Sequence, residues 1–205
     1  MIDKPKFFPK AYGLKTQNDI NDLYDEWADS YDDEVEENGY VSPARTASAL
    51  TQFLPSEASI LDIGCGTGLS GVALNNSGFL NIHGSEINLS MLVNAKKKKV
   101  YKSLIQGKIS NPFPDPPGTY DAIVAIGVIG AGAAPTSLLR SALNALVPGG
   151  LLAFTLHDAA MAQESCKIEL KTVLDDNLAV ELFSEYGQHL SSINIGSTVY
   201  ILERI

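Results

Sequence analysis

The chain has 205 residues, 45% of them hydrophobic and 19% charged, and a formal net charge of −9 at pH 7. That length suits a single domain spanning 1–205 with one substantial core. The composition is that of a soluble globular chain, and the negative balance argues against a nucleic-acid partner.

The opening residues MIDKPKFFPK contain no apolar run of the secretory type. AIVAIGVIGAGAA (122–134) is too short and too glycine-rich to cross a bilayer, so no membrane partner is expected. Two cysteines, Cys65 and Cys166, form neither a disulfide framework nor a metal-binding cluster, and a cytoplasmic location follows as the expectation. Nothing in the sequence assigns an oligomeric state.

Ten of the 24 acidic residues fall between Asp19 and Glu37. Within that stretch Ile20, Leu23, Tyr24, Trp27, Ala28, Tyr31 and Val35 recur at three- and four-residue steps, which predicts one amphipathic helix. A second helix is expected near SPART, with Ser42 as N-cap and Pro43 in its first turn. Strands are predicted at 59–63, 80–86, 103–107, 120–126 and 150–157. The helices between them fall at about 69–77, 88–99 and 136–147. Gly78 closes the first of these, Asn88 caps the second and Pro148-Gly149 ends the third. The Lys96–Lys99 run sits where cations complement a helix C-terminus. A longer helix over about 160–175 precedes two β-like runs, AVELFSEYG and STVYILERI, which have no helix between them and so suit an antiparallel pair. NPFPDPPG (111–118) reads as a loop. Nearly continuous apolar strands alternating with helices predict a doubly wound α/β fold.

ILDIGCGTGLSG (60–71) places Gly64, Gly66 and Gly68 directly after a strand. Glycines there admit positive φ, remove the β-carbons that would block a ligand, and lead into a helix N-terminus with unpaired N–H groups. A purely structural turn is the alternative. Glu86 follows Gly68 by 18 residues, at the end of the next strand, where a carboxylate can take ribose hydroxyls. Gly66, Gly68 and Gly71 also satisfy the G-x-G-x-x-G spacing of nicotinamide-dependent oxidoreductases. The preceding Asp62, the later VPGG turn and the terminal pair of β-like runs stand against that reading.

ILDIGCGTG together with HGSEINLSML resembles the cofactor signature of class I S-adenosylmethionine-dependent methyltransferases. NPFPDPPGTYDAIVAIGVI is similar to that family's stretch through its fourth strand, and LVPGGLLAFT to its turn into the fifth. YDEWADSYDDEVEENGYVSPARTA and GTYDAIVAIGVIGAG narrow the likeness to the Williams–Beuren syndrome chromosome-region methyltransferase-like proteins.

The resemblance implies a Rossmann-like seven-stranded sheet, mostly parallel with an antiparallel C-terminal strand and helices on both faces. Residues 43–205 would form this core, and 1–42 a helical lid. It implies S-adenosyl-L-methionine as cofactor and S-adenosyl-L-homocysteine as product. Gly64, Cys65 and Gly66 would line the methionine part. Asp62 would orient the loop by accepting its N–H groups, or reach the ammonium through water. Glu86 would take both ribose hydroxyls. Ile87 and Met91 would pack on adenine, with plain helix core as the alternative for Met91. Tyr31 and Tyr40 would bring hydroxyls toward the methionine carboxylate, although aromatics at helical spacing also suit a core.

The family commonly carries an acid for the adenine amino group where this chain has Lys108, and an ammonium cannot accept a hydrogen bond. Adenine recognition then rests on the Ile109 backbone and apolar packing, or the register is off by one. Ile126 and Gly127 would face the reacting centre. The segment lacks an Asn-Pro-Pro-Tyr motif, so a small-molecule methyl acceptor is expected. His157 and Asp158, at the fifth strand's end, are the polar candidates for acid–base work, with ordinary loop hydrogen bonds as the alternative. A binding protein without transferase activity is the remaining alternative.

Overall fold

The computed structural model describes residue 7 and residues 17–108, 111–130 and 134–205. Two short helices, α1 (Gln17–Trp27) and α2 (Tyr31–Glu37), precede α3 (Ser42–Leu50). The α/β region then runs β1 (Ser59–Ile63), α4 (Leu69–Asn76), β2 (Asn81–Glu86), α5 (Leu89–Lys98), β3 (Ser103–Gln106), β4 (Ala122–Ala125), α6 (Leu138–Ala145) and β5 (Leu151–His157). It closes with α7 (Asp158–Met161), α8 (Glu164–Asp175), β6 (Ala179–Leu190) and β7 (Ile195–Arg204).

The seven strands lie in the order β3-β2-β1-β4-β5-β7-β6. β1 pairs in parallel with β2 and β4, while β7 runs antiparallel between β5 and β6. The chain thus reverses direction across the sheet between β1 and β4, the place where open α/β sheets form a ligand crevice.

Alternating side chains explain why the central strands read as unbroken apolar runs. Ile60, Ala122, Val124 and Ala153 pack with Leu50 of α3 and Leu74 of α4 on one face. Leu61, Ile63, Ile123 and Phe154 pack with Leu139 and Leu143 of α6 and Val173 of α8 on the other. Both faces are buried, so neither alternate register tolerates a polar residue without a partner. Asn88 caps α5 as expected, its side chain accepting from Met91 N at 2.9 Å. The proline-rich segment is a loop, as expected.

Three local expectations are corrected. The single N-terminal helix is broken at residues 28–30. A straight helix would hold Leu23 and Val35 about 18 Å apart at 1.5 Å per residue. The break lets both join Phe7 and Trp27 in one small core. The helix expected over 160–175 is interrupted between Met161 and Glu164. Ser42 is not an N-cap. Val41 holds that position, while the buried Ser42 hydroxyl meets His189 Nδ1 at 2.7 Å and Ser197 Oγ at 3.0 Å. Among the described residues no helix is long and apolar enough to cross a membrane.

Trp27 anchors the N-terminal unit: its ring centroid lies 4.6 Å from that of Tyr31 and 6.1 Å from that of Phe7. Trp27→Ala is expected to remove ~3–5 kcal/mol from that local unit. Hydrogen exchange should therefore accelerate across 17–40 while β1 and β4 keep their protection. Uniform loss across the sheet would contradict a separately stabilised unit.

Candidate active site

The turn from β1 into α4 is built from backbone. Gly64 and Gly66 have φ of +65° and +54°, a region costly for residues with a β-carbon. A Cβ at Gly64 would lie 2.8 Å from Val128 Cγ2, whereas one at Gly66 would meet nothing within 4 Å. Their amides hang from β2: Gly64 N donates to Ser85 O at 2.7 Å, and Gly66 N to Glu86 Oε2 at 2.9 Å. Glu86 Oε1 accepts from Asn88 N at 2.8 Å. Burial pushes the Glu86 carboxyl above its ordinary pKa, and these backbone donors offset part of that shift.

A cleft of about 910 Å³ opens over this turn, and Tyr31, Tyr40, Gly64, Cys65, Gly66, Glu86, Ile87, Met91 and Ile126 all line it. Cys65 is buried, and desolvation raises its thiol well above the usual range, which leaves it a poor nucleophile. Desolvation likewise raises the Tyr31 phenol, with Tyr40 and Tyr24 adding to the effect. Gly127 has φ +71°, and a Cβ there would lie 2.7 Å from the Tyr40 hydroxyl. That glycine lets Tyr40 cross the end of β4. The cleft continues between Phe113 of the proline-rich loop and Ser141 of α6.

Asp62 lies beneath the loop rather than on the cleft wall. It does not accept the loop's N–H groups. Its Oδ2 takes hydroxyl hydrogens from Ser70 at 2.5 Å and Tyr101 at 2.7 Å, and among the described residues Oδ1 has no hydrogen-bond partner. Desolvation raises its pKa to about 7 against those two bonds. Ile109 lies outside the described residues.

His157 and Asp158 do not line the cleft. His157 Nδ1 accepts from Ala160 N at 3.2 Å, capping α7, and burial lowers the imidazole pKa. Asp158 accepts from Gly196 N at 2.8 Å and from the Tyr186 hydroxyl at 3.2 Å, which fastens it to the β6–β7 pair.

Sequence reasoning missed the supporting residues. Asp32 of α2 takes the Thr67 hydroxyl and the Lys98 ammonium, each at 2.5 Å, and so ties the N-terminal unit to the glycine loop. Besides capping α5, Asn88 donates to Asp25 at 2.9 Å. Tyr101 belongs to no motif. Its clearest trace in the sequence is Gly71, whose missing β-carbon admits the Tyr101 ring.

A glycine turn with an open cradle, a buried carboxylate on the neighbouring strand tip and a helical cover, all at the switch point of a mixed seven-stranded sheet, define a class I S-adenosylmethionine-dependent methyltransferase. The chain belongs to the methyltransferase domain family, whose model matches residues 35–204. It is 35% identical over 172 residues to human Methyltransferase-like protein 27, covering 82% of this chain and 68% of that protein, in keeping with the Williams–Beuren likeness. A bovine 18S rRNA (guanine-N(7))-methyltransferase is 39% identical over 70 residues, 34% of this chain and 25% of the relative.

Among solved structures, a SAM-dependent methyltransferase from Thermotoga maritima superposes with a TM-score of 0.65 at 19% identity, covering 90% of this chain and 99% of that one. A Haloferax volcanii complex between the Trm112 methyltransferase activator and a methyltransferase gives 0.69 at 16%, covering 90% and 97%. With the family shown, the oxidoreductase reading of Gly66, Gly68 and Gly71 falls away.

The raised Asp62 pKa has a consequence for stability. A carboxyl with a higher pKa folded than unfolded favours the folded state below the unfolded value, and that advantage is lost as pH rises toward the folded value. Relative to Asp62→Asn, the wild-type protein should lose stability between its ordinary value of 3.8 and about 7, with a constant difference above that. Urea unfolding of both proteins across this range checks the sign, because His157 and His189, which do not bond to Asp62, contribute to both.

Proposed function

We propose that this protein moves the methyl group of S-adenosylmethionine onto a small-molecule acceptor held between the N-terminal helices and the end of β4. The observation that carries the reading is the pairing of Gly66, which has open space where a Cβ would stand, with the buried Glu86 carboxylate on the same cleft.

Each residue offers what the cofactor's parts require. The Gly64–Gly66 backbone permits close approach of the methionine portion. Each Glu86 oxygen accepts one backbone N–H and retains a lone pair for a ribose hydroxyl. Ile87, Met91 and Ile126 supply apolar surface for adenine. Tyr31, kept protonated by burial, can donate to a carboxylate, and Tyr40 brings a second hydroxyl to the same cleft. When bound, the sulfonium supplies a methyl group already activated for SN2 displacement.

The chain's remaining tasks are alignment and exclusion of water. α1 and α2 form the cover, fastened through Asp32 to Thr67 and through Asp25 to Asn88. A base is needed only for an acceptor that must lose a proton. His157 and Asp158 could serve one only if the acceptor passed the segment after Gly127, so we assign catalysis to positioning.

Exposed acids on α1, the break after it and α2, among them Asp22, Glu26, Asp29 and Glu36, support a small acceptor over a polyphosphate one. The bovine relative's name makes RNA the competing acceptor, and the Haloferax neighbour's activator makes a protein partner the competing requirement. Incubation with labelled cofactor and either a metabolite extract or ribosomal RNA separates these. S-adenosylhomocysteine should form with the former. Transfer to RNA alone would reverse the acceptor assignment, and cofactor binding without turnover would favour a binding protein.

Glu86→Ala should weaken cofactor binding by ~1.5–3 kcal/mol, the range for hydrogen bonds to a charged group. Calorimetry giving an unchanged affinity would place the ribose elsewhere. Cofactor should also slow hydrogen exchange over residues 20–42, and unaltered protection there would remove the lid.

A further inference from the structure

Gly68, Gly71 and Gly84 come from three different places: the N-cap of α4, its first turn and the middle of β2. Glycine inside a helix or a strand is ordinarily unfavourable. All three border one ring. A Cβ at Gly71 would lie 2.2 Å from Tyr101 Cζ; one at Gly84 would meet Leu104 Cδ2 at 2.6 Å as well as Tyr101 Cδ1 at 3.1 Å, and one at Gly68 would meet Ala95 Cα at 3.1 Å beside Tyr101 Cε2 at 3.2 Å. The hydroxyl at the end of this slot accepts from Gly71 N at 3.0 Å and donates to Asp62 Oδ2 at 2.7 Å.

We propose that Tyr101 is a positioning residue for methyl transfer, keyed into a three-glycine slot so that one hydroxyl locks the start of α4 to Asp62 under the cofactor loop. This rests on the cofactor reading above. The lock has a geometric and an electrical part. Geometrically, Tyr101 bridges β1 and α4, the two elements that hold the glycine loop, without itself entering the cleft. Electrically, the donated hydrogen bond favours the ionised form of a carboxylate that burial would otherwise neutralise.

The groups facing Asp62 are few. Glu86 of β2 and Cys65 of the loop oppose its charge, Ser70 of α4 and Tyr101 support it, and among the described residues no cationic side chain bonds to it. Lys98 of α5, whose stem reaches the slot at Gly68, gives its ammonium to Asp32 instead. An ionised Asp62 therefore offers a negative field beneath the loop to a ligand carrying ammonium and sulfonium charges, and Tyr101 keeps that field available near neutral pH.

The test uses Tyr101→Phe, which keeps the ring in the slot and removes only the hydroxyl. Carbon NMR of the ligand-free protein should show Asp62 titrating near 7 in the wild type and at higher pH in the variant. S-adenosylmethionine binding by the variant should be several-fold weaker than wild type near neutral pH, and the wild-type-to-variant ratio, in which the ligand's own titration cancels, should approach one by about pH 9, whereas the ratio of wild type to Asp62→Asn should not close as pH rises. Fluorotyrosine at position 101, a stronger donor of the same shape, should move the Asp62 midpoint down, so the proposal stays open to test if the phenylalanine variant folds poorly. An unmoved Asp62 midpoint, or a loss of affinity equal at every pH, would overturn it. If the wild-type protein bound no S-adenosylmethionine at any pH, the cofactor reading would fail, and the carboxyl titration would still decide what Tyr101 does.

Discussion

Three successive amides of the glycine turn hang from the tip of β2, and the site depends on that suspension. Gly64 N and Cys65 N share Ser85 O, and Gly66 N reaches the Glu86 carboxylate. The β1–β2 register, with Ile63 opposite Ser85, therefore fixes where the turn leaves the sheet. A slip of one residue would exchange the faces of every side chain on β1 and withdraw both acceptors. Glu86 is consequently both scaffold and ligand-facing group. Among the described residues no cation pairs with this buried carboxylate, but backbone donors from Gly66 and Asn88 keep it tolerable without closing its outer lone pairs.

How far the sequence revealed this architecture depended on whether the cause was local. The strands were legible because two-faced burial writes itself as an apolar run, and Asn88 was legible because its cap bond to Met91 spans only three residues. The N-terminal break was not. Trp27 and Tyr31 keep helical spacing across the turn, so the stripe looks continuous although its two flanks return to one small core. Ser42 misled for the opposite reason. Its residue type favours a cap, but its partners His189 and Ser197 stand 147 and 155 positions away. No local pattern anticipates a partner at that range, which is also why His189 carried no signal.

The site shows the same division. Recognition by main chain leaves a visible trace, because only glycine provides bare backbone at positive φ, and Gly64, Gly66 and Glu86 come together on one cleft. Support by side chains leaves almost none. Asp32 is one acid in a crowded run and Tyr101 one aromatic before a strand, and neither spacing nor residue type distinguishes them. The rule that ligands gather beyond strand ends located the backbone of His157 correctly, but it says nothing about side-chain direction. There the imidazole turns to cap α7, and Asp158 turns to the β6–β7 pair.

The placement of acids over the cleft completes the electrostatic argument. Asp25 and Asp32 are held by Asn88, Thr67 and Lys98, while Asp22, Glu26, Asp33, Glu36 and Glu37 are exposed. Asp25 and Asp32 act as fasteners, and the other acids leave the outer surface of the two helices negative, within the roughly 8–10 Å over which salt leaves charges effective. Such a surface suits the cofactor's cationic character and supports the proposed small acceptor over a phosphate chain. Within the Lys96–Lys99 run, Lys98 spends its charge on Asp32. Charge at the entrance and bare backbone within thus favour the same ligand, a compact cation with a hydroxyl-bearing sugar.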